Sequence, residues 1–324
     1  MYRLLFIFLL FFVNLDAKDL MPTYVYEASG GVTDIASSDG KIYVATQKSS
    51  VDVFDLKTKK LLQKITIPQI TDFMGDTIDA KVYNVDTYKG KVLLTAQAAK
   101  GYREVHLFSE NRVSTIVTIE KKMFISKAKF IDEDTIIFSL LSNEMYLYDF
   151  KNKKIIWKID VKAPEAQFNS TFADFTLNED KTIAVVSDEG GDLKIVDIQK
   201  GKVIDVLANR NLDKVFKVDY KNNTIITAGQ DGKCVVYNLK TNRDYFLRKK
   251  HWFLIYGAGL SPSAKLGAYS SDENNNVTVF NTQTKSKLFE LKNNLMTLSS
   301  ILFIGEDEIF VTTDSNKFNY YKLK

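Results

Sequence analysis

Few side chains in this chain could carry covalent or metal chemistry, and their number limits what that chemistry could be. Cys234 is the only cysteine, and His106 and His251 are the only histidines, among 324 residues. One thiol permits no intramolecular disulfide and no thiolate-held zinc or iron–sulfur cluster. Cys234 alternates within Lys233-Cys234-Val235-Val236-Tyr237, the pattern of a strand, where a lone cysteine is a small apolar core residue. His106 alternates in the same way within Val105-His106-Leu107-Phe108 and reads as structural. A serine nucleophile needs a histidine beside it, and no Gly-x-Ser-x-Gly turn is present. There is no Gly-x-x-x-x-Gly-Lys phosphate loop. Gly190-Gly191 is too short for one and sits where a hairpin turn is expected. No catalytic, metal or cofactor-binding set is therefore assigned, and the expectation is a non-catalytic protein.

What remains is binding chemistry on connections. Pro68–Asp79 is long and acidic and displays apolar residues, with Asp72, Phe73, Met74 and Asp76 at its centre. Lys100-Gly101-Tyr102-Arg103 is basic–aromatic, so Tyr102 and Arg103 join the candidates. Arg248-Lys249-Lys250-His251-Trp252 is the densest basic–aromatic cluster in the chain. Loops on a rigid scaffold are where partners bind, and Trp, Tyr and Arg are favoured at binding hot spots. Whether Trp252 stands in the loop or begins the following strand is open at this stage; Phe253 reads as the start of that strand.

The scaffold is legible as a repeat. A short apolar strand ends in small residues, a polar turn follows, and an alternating strand closes on an aromatic or aliphatic residue plus Asp or Asn. The clearest copy runs from Asn223 through Asp231-Gly232 to Tyr237-Asn238-Leu239. The residue after the closing apolar position falls at Asp55, Ser109, Asp149, Asp197, Asn238, Asn281 and Lys322. The intervals are 54, 40, 48, 41, 43 and 41, and the long one holds the insertions Pro68–Asp79 and Gln97–Arg103. Units of about 40–45 residues with four short strands are the signature of a β-propeller. The seventh unit ends straight after its third strand, while Thr23–Ala28 alternates with no partner of its own. The predicted fold is all-β: a seven-bladed β-propeller whose N-terminal strand completes the last blade.

Bulk properties bound the class further. The 44 basic and 40 acidic residues nearly balance and interleave, and lysine outnumbers arginine, so a nucleic-acid partner is not expected. Arg3 is followed by an unbroken apolar run, Leu4–Val13, then a polar stretch ending in the small residue Ala17. This is the pattern of a secretory signal peptide over 1–17. The run is short for a membrane span, which needs about 20 residues, although an uncleaved anchor stays open. Residues 18–324 then form one exported domain, periplasmic in a Gram-negative cell, with no stable membrane insertion after cleavage.

The repeats resemble the WD-repeat (β-transducin-like) family over the whole chain after residue 17. Gly229-Gln230-Asp231-Gly232-Lys233-Cys234-Val235-Val236-Tyr237-Asn238 is similar to that family's turn and third strand, with Tyr, Phe or Val in place of Trp. No Gly-His pair opens any repeat, so the family's His–Asp network is absent and the blades are expected to rest on packing. Asp188, Asp231, Asp272 and Asp314 match the family's turn aspartate and read as turn formers. Asn152-Lys153-Lys154-Ile155-Ile156-Trp157 resembles one repeat of the propellers that bind pyrroloquinoline quinone. The Lys/Ile/Phe-rich, cysteine-poor texture and short leader resemble the NapL accessory proteins of periplasmic nitrate-reductase systems. That resemblance implies a periplasmic scaffold that binds another protein, a respiratory-enzyme component, without reducing nitrate itself. Two other classes stay open: a quinone-cofactor or hydrolytic propeller enzyme, and an envelope or outer-membrane assembly factor.

Overall fold

A computed structural model describes residues 17–162, 170–249 and 253–324. The apolar N-terminal run, and Lys250, His251 and Trp252 of the basic–aromatic cluster, lie outside the described residues.

Seven sheets form a ring, each with four strands running from the channel outward. In the first blade these are Val32–Ser38, Lys41–Thr46, Ser50–Asp55 and Leu61–Thr66. In the fifth they are Val215–Lys221, Thr224–Gly229, Cys234–Asn238 and Arg243–Leu247. Second and third strands are buried along most of their length, because a neighbouring blade covers each face. This is why they read as compact apolar runs. Seven apolar clusters fill the ring, one at each blade–blade interface, including the interface of the last blade with the first.

Each ruler position of the sequence, from Asp55 to Lys322, is the last residue of a third strand. The cause is local. Asp149 Oδ1 accepts the N–H of Asn152 at 2.8 Å, Asp197 Oδ1 that of Lys200 at 2.8 Å, and Asn238 Oδ1 that of Thr241 at 2.9 Å. Each side chain thus closes the turn that sends the chain to the outer strand. Asp188, Asp231 and Asp272 form turns as their spacing suggests, accepting from the N–H of Gly190, Lys233 and Asn274.

The ring closes as predicted. Tyr24–Glu27 is the outer strand of the seventh blade, antiparallel to Lys317–Lys322, with Tyr26 opposite Phe318. One element was not foreseen: Lys18–Leu20 adds to the sixth blade as a fifth strand, parallel to Lys287–Leu291.

The blades do not rest on packing alone. In most blades the inner strand bulges, and the residue after the bulge faces the channel: Asp34, Asn84, Lys127, Asp174, Lys217 and Ser300. From these positions and from Asp86 and Asp219, side chains accept backbone N–H groups of the next inner strand. Asp34 Oδ2 takes Val85, Asn84 Oδ1 takes Ala128, Asp86 Oδ2 takes Phe130, Asp174 Oδ2 takes Val218 and Asp219 Oδ2 takes Leu260, at 2.8–3.1 Å. A polar girdle around the channel thus ties neighbouring blades together.

Candidate functional site

Two faces differ in chemistry. Connections from outer to next inner strand, and from second to third strand, form one rim, here the upper rim. Turns from first to second strand and from third to outer strand form the opposite, lower face. Apart from Met21, in the link between Lys18–Leu20 and Tyr24–Glu27, the large apolar side chains exposed on connections between blade strands stand on the upper rim: Phe73, Met74, Phe124, Leu141, Leu212, Leu295 and Met296. Among the described residues the lower-face turns expose none.

The acidic insertion is a small hairpin, Ile70–Thr71 paired with Thr77–Ile78, projecting from the rim between the first and second blades. Asp72 builds its tip: one carboxylate oxygen accepts the N–H groups of Met74 at 2.8 Å and Asp76 at 2.9 Å. Gly75 takes φ 93°, which a side chain would strain. The turn presents Phe73, 95% exposed, and Met74, 74% exposed. Asp72 therefore shapes the hairpin, Asp76 stands exposed in it, and Phe73 and Met74 are what it displays.

The second and third candidate segments are partly used inside the molecule. Tyr102 packs on Phe124, ring centroids 5.0 Å apart. The Arg103 guanidinium lies 3.8 Å from the Tyr83 ring centroid and donates to Ile125 O at 3.0 Å. Arg248 donates to the carbonyls of Gly232 and Asp231 at 3.3 and 2.8 Å. Lys249 Nζ binds Asp272 at 2.8 Å and also Glu290. Burial works against its charge, but hydrogen bonds to these two carboxylates hold its pKa above the ordinary lysine value. The arginines and Lys249 thus brace the rim: two carboxylates match the charge of Lys249, while backbone carbonyls hold the guanidinium groups.

The sequence did not point to the channel, which is the other concave site. A cavity of about 340 Å³ is lined by Asp34, Asp86, Asp174 and Asp219 against Lys127, Lys129, Lys217 and Lys221. Four carboxylates converge here, but they are committed. Asp174 pairs with Lys127 at 2.6 Å and Asp86 with Lys129 at 3.4 Å, and all four accept from the girdle. Burial would raise the Asp174 pKa, but Lys127 and Lys217 outweigh it and hold the carboxyl below its usual range. The aspartates are spent on ring closure, and none is left as an unpaired acid or base.

Trp157, in the segment likened to quinone-binding repeats, docks on the next blade. Its indole N–H donates to Ile198 O at 2.8 Å. Its ring covers Gly201, where φ is 58° and a Cβ would meet the ring at 2.6 Å. Cys234 is fully buried, and burial pushes its thiol pKa far up. It is an inert core residue.

His106 is also structural. Its ring shares a 3.0 Å hydrogen bond with Thr115 Oγ1, and burial lowers its pKa to about 4. The sign follows from linkage: the unfolded chain takes up the proton near pH 6.5 and the folded chain only near 4, so stability falls with pH across that window. The loss by pH 4.5 is about 2.5 kcal/mol. Between pH 7 and 4.5 the melting temperature of the protein is expected to fall ~5 °C more than that of His106→Gln. Equal shifts would place this histidine outside the acid response.

All-β architecture with seven blades and a side-by-side closed ring defines a seven-bladed β-propeller. No family model matches the chain, and no curated protein matches it in sequence. Among solved structures it is similar to the β-propeller domain of Cps50 (Swd1) from Myceliophteria thermophila. The TM-score is 0.73 at 12% identity, over 94% of this chain and 99% of that one. In all, 1831 solved chains match it, so the likeness establishes the fold without choosing among functions.

Proposed function

We propose that this protein is a non-catalytic interaction scaffold that binds another protein through its upper rim. One observation carries the reading: seven of the exposed large apolar residues stand on the loops of that rim, whereas those near the lower face lie on the outer strands beyond its turns. Loops displayed on one side of a rigid scaffold are where partners bind, and these loops display apolar side chains. The committed channel carboxylates support a scaffold over a hydrolase or quinone enzyme. The finer reading places the partner in the periplasm, as a component of a nitrate-reductase system. It rests on the apolar N-terminal run and on the resemblance in texture to that accessory family.

Phe73→Ser/Met74→Ser/Leu212→Ser/Leu295→Ser tests the rim without touching the core. Crosslinking in the producing cell and capture of the tagged protein are expected to recover a specific partner. The quadruple variant is expected to lose it at least 10-fold, with an unchanged melting temperature. Undiminished capture would remove the apolar rim residues as the contact. Capture of a protein outside the respiratory system would replace the finer reading and keep the coarser one.

A further inference from the structure

The lower face carries a charge pattern that the partner-binding rim does not explain. Six turns lead from third to outer strands: residues 55–60, 109–112, 149–154, 197–202, 238–243 and 281–287. They contain thirteen Lys or Arg and four Asp or Glu. The whole chain has a net charge of +4, so these six turns hold +9 and everything else −5. Four of the seven inner turns of the same face, from first to second strand, carry acids, and most of those acids have partners within the protein. Asp134 pairs with Lys151, Glu133 with Lys91 and Asp307 with Lys324, while Glu179 and Glu306 accept N–H groups of Asn222 and Ser263. In contrast Lys57, Lys60, Lys153, Lys154, Lys202 and Lys287 are exposed and pair with no carboxylate among the described residues.

Two further features point to what this ring meets. The exposed side chains that follow the lysines are mostly aliphatic: Leu61 and Leu62 after Lys60, Ile155 and Ile156 after Lys154, Ile204 after Lys202. A nucleic-acid surface would favour aromatic stacking platforms and arginine. Lysine next to aliphatic residues suits a bilayer interface, where the ammonium meets headgroups and the apolar group enters the acyl boundary. The second feature is direction. Lys18–Leu20 runs parallel to Lys287–Leu291, an outer strand that starts from a lower-face turn, so Ala17 lies toward the lower face. In the sequence only three residues separate the apolar run Leu4–Val13 from Ala17. The chain therefore leads to its apolar segment from the basic side.

We propose that the ring of third-to-outer-strand turns docks on an anionic lipid bilayer, which leaves the upper rim facing away from the membrane. Docking is peripheral and reversible, and it does not depend on residues 1–16. All described strands lie within 18–324, so the ring closes without the leader.

The test uses residues 17–324 with vesicles of phosphatidylcholine alone or mixed with an equal amount of phosphatidylglycerol. Co-sedimentation with the anionic vesicles is expected at low salt, weakening as salt rises, with none on phosphatidylcholine. Lys57→Gln/Lys60→Gln/Lys153→Asn/Lys154→Gln is expected to lower the affinity ~100-fold. Lys57, Lys60 and Lys154 are exposed and pair with no carboxylate among the described residues, and Lys153 has a φ of 53°, a conformation asparagine tolerates better than lysine, so this variant is expected to keep its fold and its melting curve. Absence of binding to phosphatidylglycerol vesicles, or equal binding by the variant, would overturn the proposal. Tighter binding to a short DNA duplex than to the vesicles would also overturn it and reassign the face. These variants leave the upper-rim residues intact, so partner capture and vesicle binding fail independently.

Discussion

Deleting residues 18–29 is expected to abolish cooperative unfolding of the ring, and deleting only 18–22 is expected to lower the melting temperature by a few degrees. The difference lies in what the two N-terminal strands bury. Lys18–Leu20 lies on the outside of the sixth blade and is mostly exposed. Tyr24–Glu27 supplies Tyr26, 2% exposed, which stacks on Phe318 at 5.0 Å and meets Phe54 edge-on at 5.4 Å. Phe54 belongs to the first blade and Phe318 to the seventh, so one ring seals the joint between the two ends of the propeller. Just beyond, Ser29 donates its N–H and hydroxyl to the buried Asp52 carboxylate at 2.6 and 3.0 Å. Losing a buried aromatic costs about 3–5 kcal/mol by itself. Asp52, left with only the Ser50 hydroxyl, and the unpaired edge of Lys317–Lys322 add to that, against a total stability of about 5–15 kcal/mol. Tyr26→Ala provides the graded version, with a melting temperature lower by ~10 °C. A cooperative transition at the parental temperature in the 18–29 deletion would show that the ring closes without its first strand.

The closing strand was legible for the same reason the blades were. Strands buried on both faces are short apolar runs, and Asp or Asn at 55, 149, 197, 238 and 281 marks the turn because its side chain holds that turn. A unit short of one strand and a strand short of a unit could then be matched. Lys18–Leu20 escaped because three residues carry no periodicity and its placement depends on an edge about 270 residues away. The rim segments were legible in the sequence, but the internal contacts of their charges were not. Lys249 looks available in the sequence because Asp272 and Glu290 arrive from the next blade. Phe124, Leu141, Leu212 and the pair Leu295-Met296 stand in four separate loops, and only the closed ring brings them to one face. The channel charges were hidden in the same way. Alternation marks Asp34, Lys127 and Asp174 as facing one side of their strands. That this side is a narrow channel shared with other inner strands follows only from closure.

The channel also gives the sharpest test of what holds the blades together. Asp174→Ala is expected to cost about 3–5 kcal/mol, because it removes one partner of a buried pair and leaves the other charged. Asp174 is 3% exposed and serves two neighbours: Lys127 Nζ at 2.6 Å from the third blade and Val218 N–H at 3.0 Å from the fifth. Without it, Lys127 faces Lys217 with no carboxylate between them, and a buried N–H loses its acceptor. The charge itself is not what the fold requires, since a buried ion pair is often replaceable by neutral groups of the same shape. Asp174→Asn/Lys127→Met keeps an oxygen for Val218 and an apolar stem over Phe175, where the Lys127 ammonium lies 5.7 Å from the ring centroid. This double variant is expected to recover most of the loss and end within about 1–2 kcal/mol of the parent. Denaturant unfolding of the single and double variants measures both quantities. A loss below about 1 kcal/mol in Asp174→Ala would mean that the girdle contributes little and that the seven apolar clusters suffice. A double variant as unstable as the single one would instead show that the ring needs charge at this position.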